Sequence, residues 1–140
     1  MSSIVVGVDR SETARRAADT AAEMASALGA DLHVVMCAER ERGVERRGGG
    51  AAVHSDWLAD ADQFLSDLAR QLPHGSVTTS VGEGDPAKAI CDEAERLGAR
   101  LIVIGNKRVQ GLARVLGSVA GDVMKHAHCD VYVANTRGDH

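Results

Sequence analysis

The residues best suited to chemistry lie in a glycine-containing, basic segment late in the chain, residues 105–118. It begins at Gly105 and ends at the pair Gly117-Ser118, just before a predicted helix. Its cations are Lys107, Arg108 and Arg114. Glycines let backbone N–H groups approach phosphate oxygens, and a helix start adds partial positive charge, so this composition predicts an anion site. The spacing fits neither a Walker loop nor a Rossmann fingerprint. A Gly-Ser pair is also a common helix cap by itself.

A carboxylate stands at the end of the first predicted strand, in the run Val8-Asp9-Arg10-Ser11. At this position Asp9 could accept hydrogen bonds from ribose hydroxyls or from an adenine amine. Alternatively, Asp9 and Ser11 could simply cap the helix that follows. The spacing alone leaves both interpretations open.

Five apolar runs indicate the strands that would position these residues. Four runs are short, rich in Val and Ile and nearly continuous, which is typical of strands buried on both faces. They are Ile4–Val8, Leu32–Cys37, Leu101–Ile104 and Val131–Ala134. The remaining run, Val77–Val81, mixes valine with hydroxyl residues, as an edge or half-exposed strand does.

Helical periodicity fills the segments between the predicted strands. The signals are an N-cap at Ser11 with a C-cap glycine at Gly29, a stripe from about Ser55 to Leu72, a cap at Asp85 with a terminating Gly98, and a start at Ser118. We expect the inward faces to include Leu28 in the first helix and Met124 in the last.

Alternating strands and helices require mostly parallel pairing with right-handed crossovers. We therefore predict a single α/β domain over residues 1–140, a five-stranded, mostly parallel, doubly wound sheet with helices on both faces. Such sheets bind ligands at the carboxyl ends of their strands, where the strand order reverses. The charged and glycine-rich segment at about 39–54 is predicted to be a mobile loop.

The amino-acid composition of the chain argues against several classes of binding partner. The chain has 16 Lys plus Arg against 20 Asp plus Glu, a formal charge of -4, so it lacks the positive field that nucleic acid requires. No apolar run approaches the roughly 20 residues of a membrane span, and no signal peptide is evident. The three cysteines form no C-x-x-C pair, which argues against a disulfide framework or a metal site. We expect a cytoplasmic protein without nucleic-acid or membrane partners.

Several runs of residues together resemble the universal stress proteins. They are Ile4–Asp9, Gly84–Ile90, Ile102–Lys107, Leu116–Val119, Val123–Ala127 and Cys129–Val133. The resemblance covers nearly the whole chain and implies a three-layer α/β/α fold of the adenine nucleotide alpha hydrolase-like type. It also implies an adenine nucleotide as ligand, either ATP or AMP, with cyclic AMP as a further possibility and Mg²⁺ as a companion ion.

The same resemblance implies which residues form the nucleotide site. Val8 and Asp9 would face the adenine and ribose, and Cys37 would line the base pocket. The phosphates would be held by Gly105, Lys107, Arg108, Gly117, Ser118 and Val119. ATP-binding members carry a second glycine where this chain has Arg108, and here eight residues separate that position from Gly117. Arg108 could therefore clamp a phosphate or fill the pocket with its bulk.

The main functional prediction is a regulatory or stress-response module that binds an adenine nucleotide and has no catalytic residues. One alternative is a homodimeric interaction protein in which Arg108 fills the pocket. Another is a weak ATP hydrolase or phosphotransfer enzyme, although no base or metal-binding carboxylate besides Asp9 is evident. The resemblance also implies a homodimer that pairs through Val131–Ala134, an apolar edge that would otherwise favour aggregation.

Overall fold

The computed structural model describes residues 2–37, 50–106, 109–110, 113–114 and 117–134. The strands are β1 (Ser3–Val8), β2 (Asp31–Cys37), β3 (Val77–Gly82), β4 (Leu101–Gly105), β5 (Val109–Gln110), β6 (Ala113–Arg114) and β7 (Asp130–Ala134). The helices are α1 (Glu12–Leu28), α2 (Gly50–Gln71), α3 (Pro86–Leu97) and α4 (Ser118–His126). All five predicted strands and all four predicted helices are present, most with bounds within a residue or two of the prediction.

Five strands form one parallel sheet in the order β3-β2-β1-β4-β7. The strand β1 pairs with β2 on one side and with β4 on the other, with Ile4 opposite both Leu32 and Leu101. The strand order therefore reverses between β1 and β4, as the predicted doubly wound sheet requires. The short strands β5 and β6 form a separate antiparallel pair, and they were not predicted because two residues show no periodicity.

The apolar core is divided by the sheet into two layers, which confirms the predicted three-layer α/β/α arrangement. One cluster joins alanines of α1 and leucines of α2 to side chains such as Leu32 and Val34. The other joins Ile90 of α3 and Val123 of α4 to side chains such as Ile102. Because the buried face of α1 consists of alanines, its backbone can lie close to the sheet. In the described part of the chain, no helix is long and apolar enough to cross a membrane.

The predicted caps explain where α1 and α3 begin and end. The Ser11 hydroxyl accepts a hydrogen bond from the Ala14 amide at 3.1 Å, and the Asp85 carboxylate accepts one from the Lys88 amide at 2.9 Å. Each helix ends at a left-handed glycine, Gly29 with φ 65° and Gly98 with φ 62°.

Helix α2 begins earlier than its predicted start near Ser55. It includes residues 50–54, which we had assigned to the mobile loop, because helix-favouring alanines at 51 and 52 extend it. The rest of that predicted loop, residues 39–49, lies outside the described residues.

Two side chains predicted to face inward are exposed instead. Leu28 is 47% exposed and Met124 is 49% exposed. Leu28 is the last residue of α1, and Met124 flanks the narrow buried face of α4, which consists of Ala120 and Val123. Periodicity identifies a helix stripe, but it does not show how far the neighbouring sheet covers that stripe.

The strand β7 lies at an edge of the sheet, next to β4. Its apolar run had predicted burial on both faces, and this was wrong, because Val131 and Val133 pack on the second core cluster while Tyr132 is 44% exposed. The predicted edge character of β3 is confirmed, since β3 ends the sheet on the other side.

Candidate functional site

A cavity of about 370 Å³ opens at the carboxyl ends of β1 and β4. Its described lining comes from the strand ends (Gly7, Val8, Asp9, Cys37, Ile104, Gly105, Asn106), from the start of α1 (Thr13, Ala14), from α3 (Pro86, Ile90) and from the start of α4 (Gly117, Ser118, Val119, Ala120). The cavity therefore lies at the reversal of strand order, where open α/β sheets bind ligands. Its volume is within the range of small-molecule sites, about 300–1,000 Å³.

Seven of the nine predicted site residues line this cavity. They are Val8, Asp9, Cys37, Gly105, Gly117, Ser118 and Val119. The other two, Lys107 and Arg108, lie outside the described residues. Sequence reasoning missed the polar residues Thr13 and Asn106, although Asn106 directly follows β4 just as Asp9 follows β1, and the same signal could have found it.

The cavity floor depends on a close approach between β1 and α3. A Cβ placed on Gly7 would overlap the end of the Ile90 side chain and would lie 3.4 Å from Ile104 Cδ1. Glycine at this position thus lets α3 pack directly on β1. The buried Val8, Ile90 and Ile104 then form an apolar surface, which suits a flat, poorly solvated ligand such as a nucleobase.

The start of α4 provides the polar side of the cavity. Gly117 is the N-cap residue, and no side-chain cap hydrogen bond is made there by the cap itself. The first helical bond runs from the Gly121 amide to the Gly117 carbonyl at 2.9 Å. The amides of Ser118, Val119 and Ala120 consequently have no acceptor within the helix. Amides without a helical acceptor and the helix dipole together favour an anion at this end.

We expected Gly117 to help hold the phosphates, but in the structure its amide already has an acceptor. That amide donates to Asn106 Oδ1 at 2.8 Å. The donors available to an anion in this arrangement are those of the next residues in α4. Gly117 itself still lines the cavity.

Asp9 takes part in the start of α1 and also lines the cavity. Asp9 Oδ1 accepts a hydrogen bond from the Ser11 amide at 2.8 Å, and the Ser11 hydroxyl caps α1. The N-cap of α1 is therefore Ser11, whereas the Asp9 side chain stabilises the turn between β1 and α1. Asp9 also lines the cavity, where it is the one carboxylate among the described lining residues.

Cys37 links the end of β2 to the connection that leads into α3. Its thiol donates to the Gly84 carbonyl at 3.4 Å, and Gly84 has a positive φ of 88°. Pro86, two residues further on, also lines the cavity. Cys37 and Cys91 are buried and Cys129 is partly buried, and none of the three takes part in a disulfide.

Comparison with known proteins identifies the family of this chain. The sequence profile of the Universal stress protein family matches residues 1–135. The chain belongs to the universal stress protein family. A universal stress protein of Methanocaldococcus jannaschii is 30% identical over 135 residues, which span 93% of this chain and 79% of that protein.

Solved structures of universal stress proteins share the whole fold. A universal stress protein in complex with cAMP is 26% identical, with a TM-score of 0.70, over 97% of this chain and 98% of that one. The universal stress protein of Archaeoglobus fulgidus in complex with dAMP is 28% identical, with a TM-score of 0.62, over 95% of this chain and 97% of that one. Both neighbours are thus adenine-nucleotide complexes.

This universal stress protein also contains a polar cluster around the buried His33, between β2, β3 and α3 and separate from the cavity. His33 Nδ1 lies 2.6 Å from Thr78 Oγ1, and His33 Nε2 lies 3.0 Å from both Ser80 Oγ and Glu93 Oε2. Burial lowers the pKa of His33, although the Glu93 carboxylate acts to raise it. Hydrogen bonding from Arg96 lowers the pKa of Glu93. A neutral His33 that donates from Nε2 to Glu93 satisfies this arrangement.

Among the described residues, no group of three or more His, Cys, Asp or Glu side chains is placed to hold a metal ion. The cavity lining that the structure describes offers the single carboxylate of Asp9.

Proposed function

We propose that this universal stress protein binds an adenine nucleotide in the cavity at the ends of β1 and β4, and that it acts as a regulatory module of the stress response. The observation that carries this proposal is the cavity itself, which combines an apolar floor with the amide-rich start of α4 at the reversal of strand order. Occupancy would stabilise the domain or change its surface for partners.

The dimensions of the sheet support a nucleotide rather than a free phosphate. Because β1 lies between β2 and β4, the end of β2 at Cys37 is two strand spacings, about 10 Å, from the end of β4 at Gly105. We assign the adenine to the side of Cys37 and Val8, the ribose to Asp9, and the phosphate to the start of α4. This order places the charged part of the ligand against the helix dipole.

The length of the phosphate chain is part of the proposal. AMP and cyclic AMP need contacts near Ser118 and Val119, whereas ATP also needs the basic residues Lys107 and Arg108, which lie outside the described residues. We propose that the Arg108 guanidinium clamps a phosphate. Arg108 stands where ATP-binding members of the family have a glycine, and the same segment carries two further cations, Lys107 and Arg114. Mg²⁺ would then be held mainly by ATP phosphates, since Asp9 is the one carboxylate among the described lining residues.

We also propose a homodimer that pairs through β7. The strand is at a sheet edge, and its Tyr132 is exposed, as is Met124 on the neighbouring α4. An apolar edge of this kind favours pairing with another strand. A two-fold axis at the edge would join the two copies through the same surface.

The direct test is to purify the protein, denature it and identify released nucleotide by chromatography. Thermal unfolding is then followed with ATP, AMP and cyclic AMP, with and without Mg²⁺. A ligand at 100 times its Kd adds about 2.7 kcal/mol to the free energy of unfolding, which raises the melting temperature by several degrees. The absence of both released nucleotide and any thermal shift would favour the interaction-protein alternative.

A matched pair of variants locates the site. Gly117→Val places a branched side chain at the cavity lining and should abolish nucleotide binding. Gly121→Val makes the same change in the first turn of α4, at a residue outside the cavity lining where an added Cβ meets nothing within 4 Å. The nucleotide affinity of Gly121→Val should match that of the wild type. Equal affinities of the two variants would place the nucleotide elsewhere.

A further inference from the structure

Asn106 joins the end of β4 to the start of α4. Its Oδ1 accepts the Gly117 amide at 2.8 Å, between residues eleven positions apart in the chain. The Asn106 side chain is buried, with the residue 8% exposed, and it lines the cavity. This bond is therefore a tertiary contact that fixes both ends of the basic segment, whatever conformation the residues between them adopt.

The position of this bond determines the direction of the α4 amides. A helix leaves its first N–H groups without intrahelical acceptors. At α4 the side-chain oxygen Oδ1 of Asn106 accepts the Gly117 amide. The next three amides belong to Ser118, Val119 and Ala120, which line the cavity. If Gly117 were released, the first turn of α4 would lose its anchor to the sheet, and these amides would lose their common direction.

We propose that Asn106 is the positioning residue for the anionic part of the ligand, an inference that rests on the proposed nucleotide site. The side-chain amide supplies the acceptor that Gly117 needs without bringing a negative charge to the cavity. A carboxylate has nearly the same shape and would hold Gly117 at least as firmly, but it would repel a phosphate. Asn106 thus reconciles two requirements, a fixed helix start and a site without negative charge at the phosphate end.

Two substitutions separate these requirements, and the probes are AMP and adenosine. In Asn106→Asp the Gly117 bond is kept, so adenosine affinity should remain within about twofold, while AMP affinity should fall by about tenfold or more at low salt because the charges repel. In Asn106→Ala the bond is lost, and AMP affinity should again fall more than adenosine affinity. Gln71→Glu is the control, because it makes the same amide-to-carboxylate change at an exposed residue outside the cavity.

Hydrogen exchange of the Gly117 amide, followed by NMR, gives a readout that does not depend on the ligand. Exchange should be slow in the wild type and in Asn106→Asp, and much faster in Asn106→Ala. The inference is overturned if Asn106→Asp retains wild-type AMP affinity, if AMP and adenosine weaken in parallel, or if Gly117 exchange is the same in all three proteins. Failure of the wild type to bind either AMP or adenosine would instead overturn the proposed function, and this inference with it.

Discussion

His33 Nε2 lies 3.0 Å from Glu93 Oε2, where the buried His33 of β2 meets the partly buried Glu93 of α3. The pKa values of both partners are lowered, but for different reasons. Burial lowers the pKa of His33 despite the carboxylate, whereas Arg96 and His33 both lower the pKa of Glu93. The folded protein thus favours neutral His33 beside ionised Glu93.

Stability should fall on acidification in two windows. His33 is protonated near pH 6.5 in the unfolded chain and at a lower pH in the folded chain. The free energy of unfolding therefore decreases as the pH falls from about 6.5 to the folded pKa of His33. The Glu93 contribution is present above about pH 4.5 and is lost as the pH falls through its lowered folded pKa. Urea unfolding from about pH 8 down to about pH 2 measures both windows.

The variant His33→Gln separates this effect from general acid sensitivity. Glutamine can still form hydrogen bonds to Thr78 and Glu93 but does not titrate, so the slope of stability just below about pH 6.5 should become smaller. The Glu93 window, below about pH 4.5, should remain. If wild type and variant show the same slope in the upper window, His33 does not carry it.

Substitution at Gly7 tests the cavity floor. In Gly7→Ala the new Cβ would overlap the end of the Ile90 side chain, so Ile90 must rotate, and the protein should lose about 1–3 kcal/mol of stability. Nucleotide affinity should fall as well, because Ile90 lines the cavity. Chemical unfolding and calorimetric titration measure the two effects.

Two further proteins control this result. Gly75→Ala adds a Cβ that meets nothing within 4 Å, and its stability should match or exceed that of the wild type. In the double variant Gly7→Ala with Ile90→Val, the nearest clashing atom is removed, so part of the affinity should return. A Gly7→Ala protein as stable as Gly75→Ala would mean that the contact is not tight in solution.

The helix and strand ends that surround the site could be predicted from the sequence, because they depend on local signals. Caps at Ser11 and Asp85 and left-handed glycines at Gly29 and Gly98 mark helix ends by chemistry that extends over a few residues. The strand ends then follow, and with them the meeting of Asp9 and Gly105 at the cavity.

What the sequence did not predict depends on contacts between distant residues. The Asn106 bond to Gly117 and the His33 bond to Glu93 each join elements whose relative placement no local pattern specifies. The exposure of Met124 is a similar case, since it depends on how far the sheet extends beneath α4. The sequence therefore indicated which backbone positions would meet, but not which side chains would hold them.

Cys37 provides a chemical footprint for the base. Its sulfur is buried beside the cavity and bonds to Gly84, so an adenine on that side should shield it from alkylation. With AMP at ten times its Kd, the rate of Cys37 modification should fall about tenfold, in proportion to the free fraction. Peptide mass spectrometry follows each thiol separately. Cys129, which is outside the cavity lining, is the internal control, and equal protection of both thiols would indicate general stabilisation rather than contact.

The β7 edge should determine the oligomeric state. Tyr132→Asp puts a charge on the exposed face of this strand, where a second copy would bring a second aspartate close, so the proposed dimer should dissociate to a monomer. Light scattering after size-exclusion chromatography measures the mass directly. Leu28→Asp is the matched control, because Leu28 is a similarly exposed apolar residue at the end of α1, and it should leave the dimer intact. A dimer that survives Tyr132→Asp but not Leu28→Asp would move the interface from β7 to α1.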